Sequence, residues 1–419
     1  MYNFKIRLYD FLLFSLVSIF SILRVILFKE RAPSVLVLLP FQKEGNLGDE
    51  AMLLSTLTFL KAKENIGKIC ILTRNYSFIE NLKNEGISSF NIQNYAKYTS
   101  LSNGISLIKA AAGYSHFYCI GADVLDGFYT EKESLFLIKT TALLARMGLK
   151  TSIINFSFNL EPTYACAKAL KRLPKSVRFV ARDVLSKKRL EGLIDRKVLL
   201  GADIALLLEP SKDLSYLQQI DLWIKRQKEC GRLVIGVNIS FNSFQKIQGI
   251  NKERIVTAYL MILNSLFSKL DNLSILFIPH DSRTGMNDLI LAEGVYGNLP
   301  EKIKNYANVM KFPYGAADVK RICSSLDFVF SGRMHLAIAC LSQGIPVMVV
   351  NYQDKAEGLY KYFDLVSLNV DPKSILAHEK IAEKIIDALS RKKIISEKIN
   401  KNINNILTLA KNNFSNFPN

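Results

Sequence analysis

Cysteine, histidine and tryptophan are scarce in this 419-residue sequence, which contains six, four and one of them respectively. No two cysteines form a Cys-x-x-Cys pair, and the spacing of cysteines and histidines does not suggest a zinc cluster. Most cysteines lie inside apolar runs, which is typical of small buried side chains in a reducing compartment. No cluster of carboxylates suits Mg²⁺ either. The sequence therefore predicts neither a metal site nor a cofactor.

Acidic residues are also in deficit, because 37 aspartates and glutamates accompany 55 lysines and arginines and leave a formal net charge of +18. Such a charge favours anionic partners: nucleic acid, an acidic membrane surface, an acidic glycan or a phosphorylated small molecule. Nucleic acid ranks lowest, since the basic residues lack interleaved aromatic side chains and no nucleic-acid-binding module is recognisable. Charge alone does not choose among the other three.

A hydrophobic run long enough to span a bilayer is missing as well. The uncharged run Phe11–Leu23 falls short of the roughly 20 residues that a span requires, and Arg24 follows it. No small-x-small cleavage site comes after it, so a cleaved signal peptide fits poorly. Basic residues on both sides favour a membrane-associated apolar helix over residues 1–31, at the cytoplasmic face of a bacterial inner membrane. A tilted single span and an ordinary packed helix remain alternatives.

Beyond Pro33, short apolar runs rich in Val, Ile and Leu alternate with longer amphipathic stretches. This alternation predicts buried strands, right-handed crossovers and a parallel, doubly wound α/β sheet. The predicted strands of the first half are Ser34–Leu39, Lys68–Thr73, His116–Gly121, Thr151–Phe156 and Val198–Asp203. Those of the second half are Leu233–Ile239, Leu273–Pro279, Val309–Phe312, Phe328–Phe330 and Ile345–Val350.

A polar, charged stretch from Glu209 to Arg232, which contains the single tryptophan, interrupts this alternation. It divides the chain into two Rossmann-like lobes, an N-terminal lobe at 32–210 and a C-terminal lobe at 211–419 that ends in basic helices. Ligands of such lobes bind at the carboxyl ends of the strands, where loops and helix N-termini converge. Chemistry is therefore expected at the ends of the predicted strands.

A glycine-rich segment, Gly45–Ala51, follows the first predicted strand and opens a helix. Glycines permit tight turns and close backbone approach, and the amides at a helix start can bind an anion or a sugar oxygen. Asn46 and Asp49 could hold the hydroxyls of an acceptor. A plain glycine loop with Asp49 as the N-cap explains the segment too.

Arg182 ends the short predicted strand Phe179–Ala181, beside Asp183 and inside a basic stretch that runs from Lys168 to Arg189. Most of these cations fit a solvated face that contacts membrane phosphates or an anionic glycan. Arg182 differs from them, because a guanidinium at a strand end can be aimed into a cleft as a bidentate anion clamp.

The sharpest signal is Gly332–His335, Gly-Arg-Met-His, which follows one predicted strand, with Lys355 just beyond the next strand. Adjacent βα loops bring Arg333, His335 and Lys355 together with a helix dipole. Three basic groups at one sheet edge predict an anion site. His280, in a Pro-His-Asp segment at another strand end, is a further cleft candidate, although a loop histidine without a role explains it equally well.

These segments resemble the polysaccharide pyruvyltransferase family. The likeness rests on Gly-Asn-Leu-Gly-Asp-Glu in the first loop and on Val-Ala-Arg-Asp at Arg182 with Ser186. It rests above all on Gly-Arg-Met-His, followed by Gly344-Ile-Pro and then by Tyr-Gln-Asp-Lys ending at Lys355. It covers the range Pro33–Leu365, so the N-terminal apolar run and the basic tail lie outside it.

The resemblance implies a GT-B-like pair of lobes and an enzyme that transfers the pyruvyl unit of phosphoenolpyruvate, its co-substrate, to a cell-surface polysaccharide or its lipid-linked precursor. Arg333 and Lys355 would then hold the phosphate and carboxylate, Arg182 would reach across from the first lobe, and His335 would transfer a proton. The chemistry suits these residue types, because this triply charged donor requires several cations and proton transfer requires a group of pKa near roughly 6.5. Gly121-Ala122 stands where family members often have paired glycines.

Two alternatives stay open. A nucleotide-sugar-dependent glycosyltransferase of GT-B architecture would also place arginine or lysine at a helix start, to bind a diphosphate. A non-catalytic membrane scaffold of a glycan assembly complex would use only the basic faces. Thermal stabilisation by phosphoenolpyruvate but not by UDP- or GDP-sugars separates the first alternative from pyruvyl transfer.

Overall fold

The computed structural model describes residues 32–40, 45–73, 86–92, 101–213, 215–245, 247–351 and 355–417. The apolar helix expected over residues 1–31 lies outside these ranges and stays a prediction. Within them, no helix is both long and apolar enough to cross a membrane. The chain divides into two compact units. The first unit extends to Asp203, without Gly45–Ser55, and also includes the end of the chain from Leu409 onward. The second unit consists of Gly45–Ser55 and Ile204–Thr408.

The first unit is built on a seven-stranded parallel sheet with the order β3-β2-β1-β4-β5-β6-β7. Its strands are β1 (Val35–Leu38), β2 (Ile69–Thr73), β3 (Ile87–Asn91), β4 (His116–Ala122), β5 (Lys150–Phe156), β6 (Arg178–Ala181) and β7 (Leu199–Leu200). The helices in this part of the chain are α1 (Leu47–Lys61), α2 (Leu101–Ala111), α3 (Glu131–Arg146), α4 (Tyr164–Lys171) and α5 (Val184–Ile194).

The second unit has a six-stranded parallel sheet with the order β10-β9-β8-β11-β12-β13. Its strands are β8 (Leu233–Asn238), β9 (Leu273–Phe277), β10 (Ala307–Val309), β11 (Phe328–Ser331), β12 (Val347–Val350) and β13 (Asn369–Val370). The helices that follow are α6 (Gln218–Glu229), α7 (Lys252–Lys269), α8 (Asp288–Gly297), α9 (Glu301–Lys304), α10 (Ala316–Cys323), α11 (Met334–Leu341), α12 (Lys355–Phe363), α13 (His378–Ser390) and α14 (Lys392–Lys411).

Both strand orders reverse once, between β1 and β4 in the first sheet and between β8 and β11 in the second. This is the doubly wound, Rossmann-like order, in which ligands bind at the carboxyl ends of the strands beside the reversal. The prediction of two such α/β lobes is confirmed. The switch point of the second sheet lies where the Gly-Arg-Met-His segment follows β11.

The central strands are continuous apolar runs because helices cover both faces of each sheet. Every residue of β1, β4 and β9 is buried, and Phe117, Phe156 and Phe179 are among the largest buried side chains of the first unit. The start of α5 is fixed by Asp183, whose carboxylate accepts a hydrogen bond from Ser186 N at 2.8 Å.

The division between the units falls at Asp203, a few residues before the boundary that the sequence predicted after residue 210. Two segments also belong to a different unit from the one predicted for them by their position in the sequence. Gly45–Ser55 groups with the second unit, where its backbone bonds to the loop after β9. The chain end groups with the first unit, where Asn413 accepts a hydrogen bond from Asn155 N at 2.8 Å and donates one to Ala202 O at 2.9 Å.

Candidate active site

The turn between β11 and α11 places the predicted Arg-Met-His residues at the switch point of the second sheet. Gly332 N donates to Asn238 O at the end of β8 at 3.0 Å, and a β-carbon on Gly332 would lie 2.9 Å from Ser240 N. Ser331 Oγ accepts from Arg333 N at 3.0 Å and donates to Arg333 O at 2.8 Å. The turn therefore has a fixed shape, with Arg333 as the N-cap residue of α11.

The guanidinium of Arg333 lies between two buried carboxylates. It donates to Asp288 from Nε at 3.2 Å and from Nη2 at 2.8 Å, and its Nη1 lies 3.1 Å from Asp281 Oδ2. Both aspartates are at most 1% exposed, and Arg333 itself is 12% exposed. Arg333 therefore has a structural partner on each side, and its role in holding phosphoenolpyruvate stays a prediction.

Asp288, the first residue of α8, joins three strand ends of this unit. Its carboxylate also accepts hydrogen bonds from Asn238 Nδ2 at 3.0 Å and from His280 N at 3.1 Å. Burial raises the pKa of Asp288, and the charge and hydrogen bonds of Arg333 oppose that rise. Arg333 is therefore the largest of the contacts that favour the ionised form of Asp288, and Asn238 and the His280 backbone act in the same direction.

His280 lies beside these groups and is 3% exposed. Burial lowers the pKa of His280 well below 6.5, and the nearby charges of His335 and Arg333 lower it further. His280 is therefore a neutral imidazole near neutral pH, able to donate one hydrogen bond and to accept another. The sequence placed it in the cleft without a defined role, and the structure makes it an uncharged neighbour of His335.

The glycine-rich segment runs along the loop that follows β9. Asn46 forms an antiparallel bridge with Asp281, and Leu47 N donates to His280 O at 3.2 Å. Asn46 Oδ1 accepts a hydrogen bond from Gly48 N at 2.9 Å, which fixes the turn into α1. The carbonyl group of the Asn46 side chain thus stabilises the loop, and its predicted contact with an acceptor sugar stays a prediction.

Gly48 lies directly against the side chain of His335. A β-carbon at position 48 would stand 2.6 Å from Cγ and 3.0 Å from Cβ of that histidine, closer than real Cβ contacts come. Close approach is the reason for this glycine, since no left-handed φ is required here. Two segments that the sequence singled out, far apart in the chain, thus meet at one side chain.

Arg283 is a site residue that the sequence interpretation missed. It binds the carboxylate of Asp281 with Nε at 2.9 Å and Nη2 at 2.6 Å, and the charges of Asp49 and Arg333 also act on it. Asp281 therefore forms ion pairs with both Arg283 and Arg333, and Arg283 is the more exposed of the two arginines at 18%. Its position three residues after His280, at the same strand end, was the available signal.

Glu50 was also missed as a functional group, although it belongs to the glycine-rich segment. Its Oε1 accepts a hydrogen bond from Ala316 N at 3.0 Å, at the start of α10. Burial raises the pKa of Glu50 to about 7; the Ala316 hydrogen bond opposes this shift, and the charge of Asp318 adds to it. Glu50 therefore titrates near neutral pH, within a segment that also contacts His335.

Arg182 lies in the first unit, at the end of β6. Its Nε donates to Ser157 Oγ at 2.7 Å, and its Nη1 forms an ion pair of 2.9 Å with Asp203. The arginine is 5% exposed, and Asn155 donates to the other oxygen of Asp203 at 3.4 Å. Arg182 is a buried, paired side chain in this structure, and its predicted contact with phosphoenolpyruvate stays a prediction.

The second unit brings together Arg333, His335, His280, Asn46 and Asp49, all of which the sequence had selected. Lys355 is the first residue of α12, and its side chain lies outside the described part of the chain. The site that can be described thus pairs two arginines with two buried aspartates and sets two imidazoles beside a helix start.

The chain is similar in fold to several solved structures whose descriptions name UDP or a UDP-sugar. A protein described as UDP-N-acetylglucosamine 2-epimerase from Listeria monocytogenes is 12% identical, with a TM-score of 0.59 over 93% of this chain and 98% of that one. UDP-GlcNAc 2-epimerase from Neisseria meningitidis bound to UDP-GlcNAc is 11% identical, with a TM-score of 0.54 over 90% and 97%. A UDP-forming trehalose-phosphate synthase from Burkholderia vietnamiensis is 11% identical, with a TM-score of 0.55 over 93% and 97%. At this identity the likeness shows the fold alone, the GT-B-like one that was predicted.

Comparison of the sequence with family models identifies the protein family, which the fold alone does not. No curated protein matches the chain. The family model for polysaccharide pyruvyl transferase matches residues 46–354, which begin at Asn46 in the glycine-rich segment and run just past the strand that follows Arg333 and His335. The match covers well over half of the sequence and includes each of the loop ends that build the site. On that evidence this chain is a transferase belonging to the polysaccharide pyruvyl transferase family.

Proposed function

We propose that this protein transfers the pyruvyl unit of phosphoenolpyruvate to two hydroxyls of one sugar, in a cell-surface polysaccharide or its lipid-linked precursor, and so forms a ketal. The observation that carries the proposal is the position of His335, in the first turn of α11, against Gly48 and near His280, in a helix whose N-cap residue is Arg333. Family membership supports pyruvyl transfer, and the cationic helix start supports a phosphorylated donor.

The phosphate of the donor would bind at the start of α11. The first turn of a helix supplies backbone N–H groups without helical partners and the positive end of the helix dipole. Arg283 adds a partly exposed guanidinium, and Arg333 orders the buried aspartates behind it. Lys355 and Arg182 are the further cations that the family resemblance implies for binding this donor.

His335 would move the proton. The protonated imidazole gives a proton to the methylene carbon of phosphoenolpyruvate, which leaves C2 electron-poor. A first sugar hydroxyl then bonds to C2 and returns a proton to the histidine. A second hydroxyl bonds to C2 as the bond from C2 to the phosphate oxygen breaks, so that phosphate departs with the electron pair and takes up the proton that this hydroxyl loses. His280, kept neutral by burial and by neighbouring cations, does not compete for this proton.

Ligand protection tests the choice of donor. A ligand present at about 100 times its dissociation constant stabilises the folded protein by about 2.7 kcal/mol, which raises the melting temperature measurably. We expect phosphoenolpyruvate to do so and UDP- and GDP-sugars not to. Stabilisation by a nucleotide sugar alone would favour a glycosyltransferase, the alternative that the fold of the structural neighbours suggests.

The product identifies the reaction. The surface glycan of cells with this gene should carry the mass of one pyruvate less one water on the modified sugar, and that of cells lacking the gene should not. An unchanged glycan mass in the two strains would contradict pyruvyl transfer. A functional Arg333→Lys variant would favour the non-catalytic scaffold, because lysine keeps the charge but not the paired geometry.

A further inference from the structure

The two most exposed large apolar side chains in the described part of the chain lie four residues apart on the first unit. Leu160 is 74% exposed and Tyr164, the first residue of α4, is 79% exposed. The backbone around them is fixed, because Asn159 N donates to Asp126 Oδ2 at 3.0 Å and Thr163 N donates to Asp126 O at 2.8 Å. Their exposure is therefore built into an ordered loop and helix start.

Cations continue this surface along α4 and beyond its end. The helix buries Cys166 and Leu170 on one face, whereas the opposite side exposes basic residues. The exposed basic residues of the helix and of the segment after it are Lys168, Lys171, Arg172 and Lys175, and Glu161 is the one carboxylate between Leu160 and Lys175. Lys168 Nζ lies 5.5 Å from the ring centre of Tyr164, so cationic and aromatic groups form one patch.

We infer that this patch, the α4 surface (Leu160, Tyr164, Lys168, Lys171, Arg172 and Lys175), docks the first unit on a membrane that contains anionic lipid. Lysine and arginine near such a membrane are attracted to its phosphates, and tyrosine favours the headgroup region. An acidic glycan would satisfy the cations but would leave the aliphatic tip of Leu160 in water, so lipid fits the patch better. Docking of this kind sets where the enzyme sits and does not rest on the identity of its donor.

Fluorescence at position 164 tests the contact directly, whatever the N-terminal apolar run does. The chain has a single tryptophan, Trp223, so a full-length Tyr164→Trp, Trp223→Phe variant reports from the α4 surface alone. With vesicles of phosphatidylcholine and phosphatidylglycerol, its emission should shift to the blue and be quenched by brominated lipid. The matched control, Ile394→Trp with Trp223→Phe, places the probe at an apolar residue 57% exposed in the second unit and should stay unquenched.

Substitutions that remove the positive charges of the patch provide a second test of membrane docking. Each lysine near an anionic surface strengthens binding about fivefold, so Lys168→Gln, Lys171→Gln and Lys175→Gln together should weaken vesicle partitioning about 100-fold at low salt. The control combination of Lys380→Gln, Lys384→Gln and Lys393→Gln, at exposed lysines of the second unit, should change vesicle partitioning little. Unquenched emission from the Tyr164→Trp probe on vesicle-bound protein would overturn the inference. So would a response of that probe to a soluble acidic polysaccharide but not to vesicles, since that result would assign the patch to a glycan.

Discussion

Gly48 and His335 are in contact: a β-carbon at position 48 would lie 2.6 Å from Cγ of the histidine. The glycine-rich segment therefore sets the position of the proposed proton-transfer group from a distant part of the chain. The contact also gives this glycine a physical purpose, namely to leave room for an imidazole.

Gly48→Ala should lower turnover by about 10²-fold, because the added methyl displaces the His335 ring from its place. His335→Ala should cause a similar loss while leaving the protein folded. If the methyl added by Gly48→Ala lowers turnover only by displacing the His335 ring, the double variant Gly48→Ala, His335→Ala should be no slower than His335→Ala alone. Steady-state kinetics with phosphoenolpyruvate measure all three variants.

Gly192→Ala is the control for that series, since apart from its chain neighbours and the backbone of its own helix no atom lies within 4 Å of a β-carbon placed at this glycine. It should retain normal turnover and be slightly more stable, because alanine favours a helix over glycine by about 1 kcal/mol. Near-normal turnover of Gly48→Ala would remove the contact from the mechanism.

Arg333→Ala should lower the free energy of unfolding by about 3–5 kcal/mol, because it leaves Asp281 and Asp288 buried without this guanidinium. Arg333→Lys should recover only part of the loss, since an ammonium cannot reproduce the paired geometry. Urea denaturation gives both values. Arg391→Ala, which breaks an exposed pair with Asp387, should cost about 1 kcal/mol or less. Wild-type stability in Arg333→Ala, with loss of phosphoenolpyruvate affinity, would assign the arginine to ligand binding alone.

Arg283→Ala should weaken phosphoenolpyruvate binding by about tenfold or more, the effect of losing one charge-assisted contact of about 1.5–3 kcal/mol. The variant should remain folded, because Asp281 keeps its ion pair with Arg333. Calorimetric titration measures the affinity. Arg254→Ala, at an exposed arginine that bonds Gly249 O in the same unit, should bind the donor normally. Unchanged affinity in Arg283→Ala would exclude this arginine from the donor site.

Glu50→Gln should stabilise the protein more at pH 8 than at pH 5. The folded-state pKa of Glu50 is raised to about 7 from 4.5, so the folded protein binds more protons than the unfolded chain between these values. The contribution of Glu50 to stability is therefore present below pH 4.5 and is lost as the pH rises through about 7. Glutamine stays neutral and can still accept from Ala316 N.

The expected difference for Glu50→Gln between the two pH values is about 1–3 kcal/mol, from about 1.36 kcal/mol per unit of pKa shift. Urea denaturation at each pH measures it. The same substitution at the exposed Glu253 should show no comparable dependence on pH. A Glu50→Gln variant with equal effects at pH 5 and pH 8 would contradict a titration of this carboxyl near neutrality.

Ala122→Val should lower the free energy of unfolding by about 2 kcal/mol or more relative to Ala122→Gly. Ala122 has a φ of 45°, a left-handed backbone that costs a residue with a side chain about 1–2 kcal/mol and a β-branched one more. Ala122→Gly removes that strain but loses a buried methyl group, so its net effect should be near zero. Equal stability of the two variants would contradict the strain at this position, where family members often have glycine.

The positions of the central strands follow from the sequence, because strands buried on both faces must be continuous apolar runs. Runs such as Val35–Leu38 and Leu273–Phe277 therefore marked the two sheets before any contact was known. The edge strands carry less of this signal. Ile87–Asn91 buries only its first residue, and Asn369–Val370 is two residues long, so neither stands out as an apolar run.

The motif residues were located for a related reason: each follows a predicted strand, and parallel strands end at one edge of a sheet. That argument placed Arg333, His335 and Lys355 in adjacent βα loops and His280 at another strand end. It gave no pairing, however, since Asp288 and Arg333 lie far apart in the chain and no local pattern links them. For the same reason Arg283 went unrecognised, and Arg182 could not be seen to pair with Asp203.

The sequence by itself thus determined two doubly wound sheets, the family, and the strand ends where the chemistry lies, because burial and loop position leave local patterns. Only the tertiary structure decided that Gly48 makes room for His335, that two arginines share Asp281, and that burial carries Glu50 toward a neutral pKa. These depend on which loops the strand order places side by side, and on how much water the packing removes around each charge. Neither the arrangement of the loops nor the extent of desolvation produces a local sequence pattern.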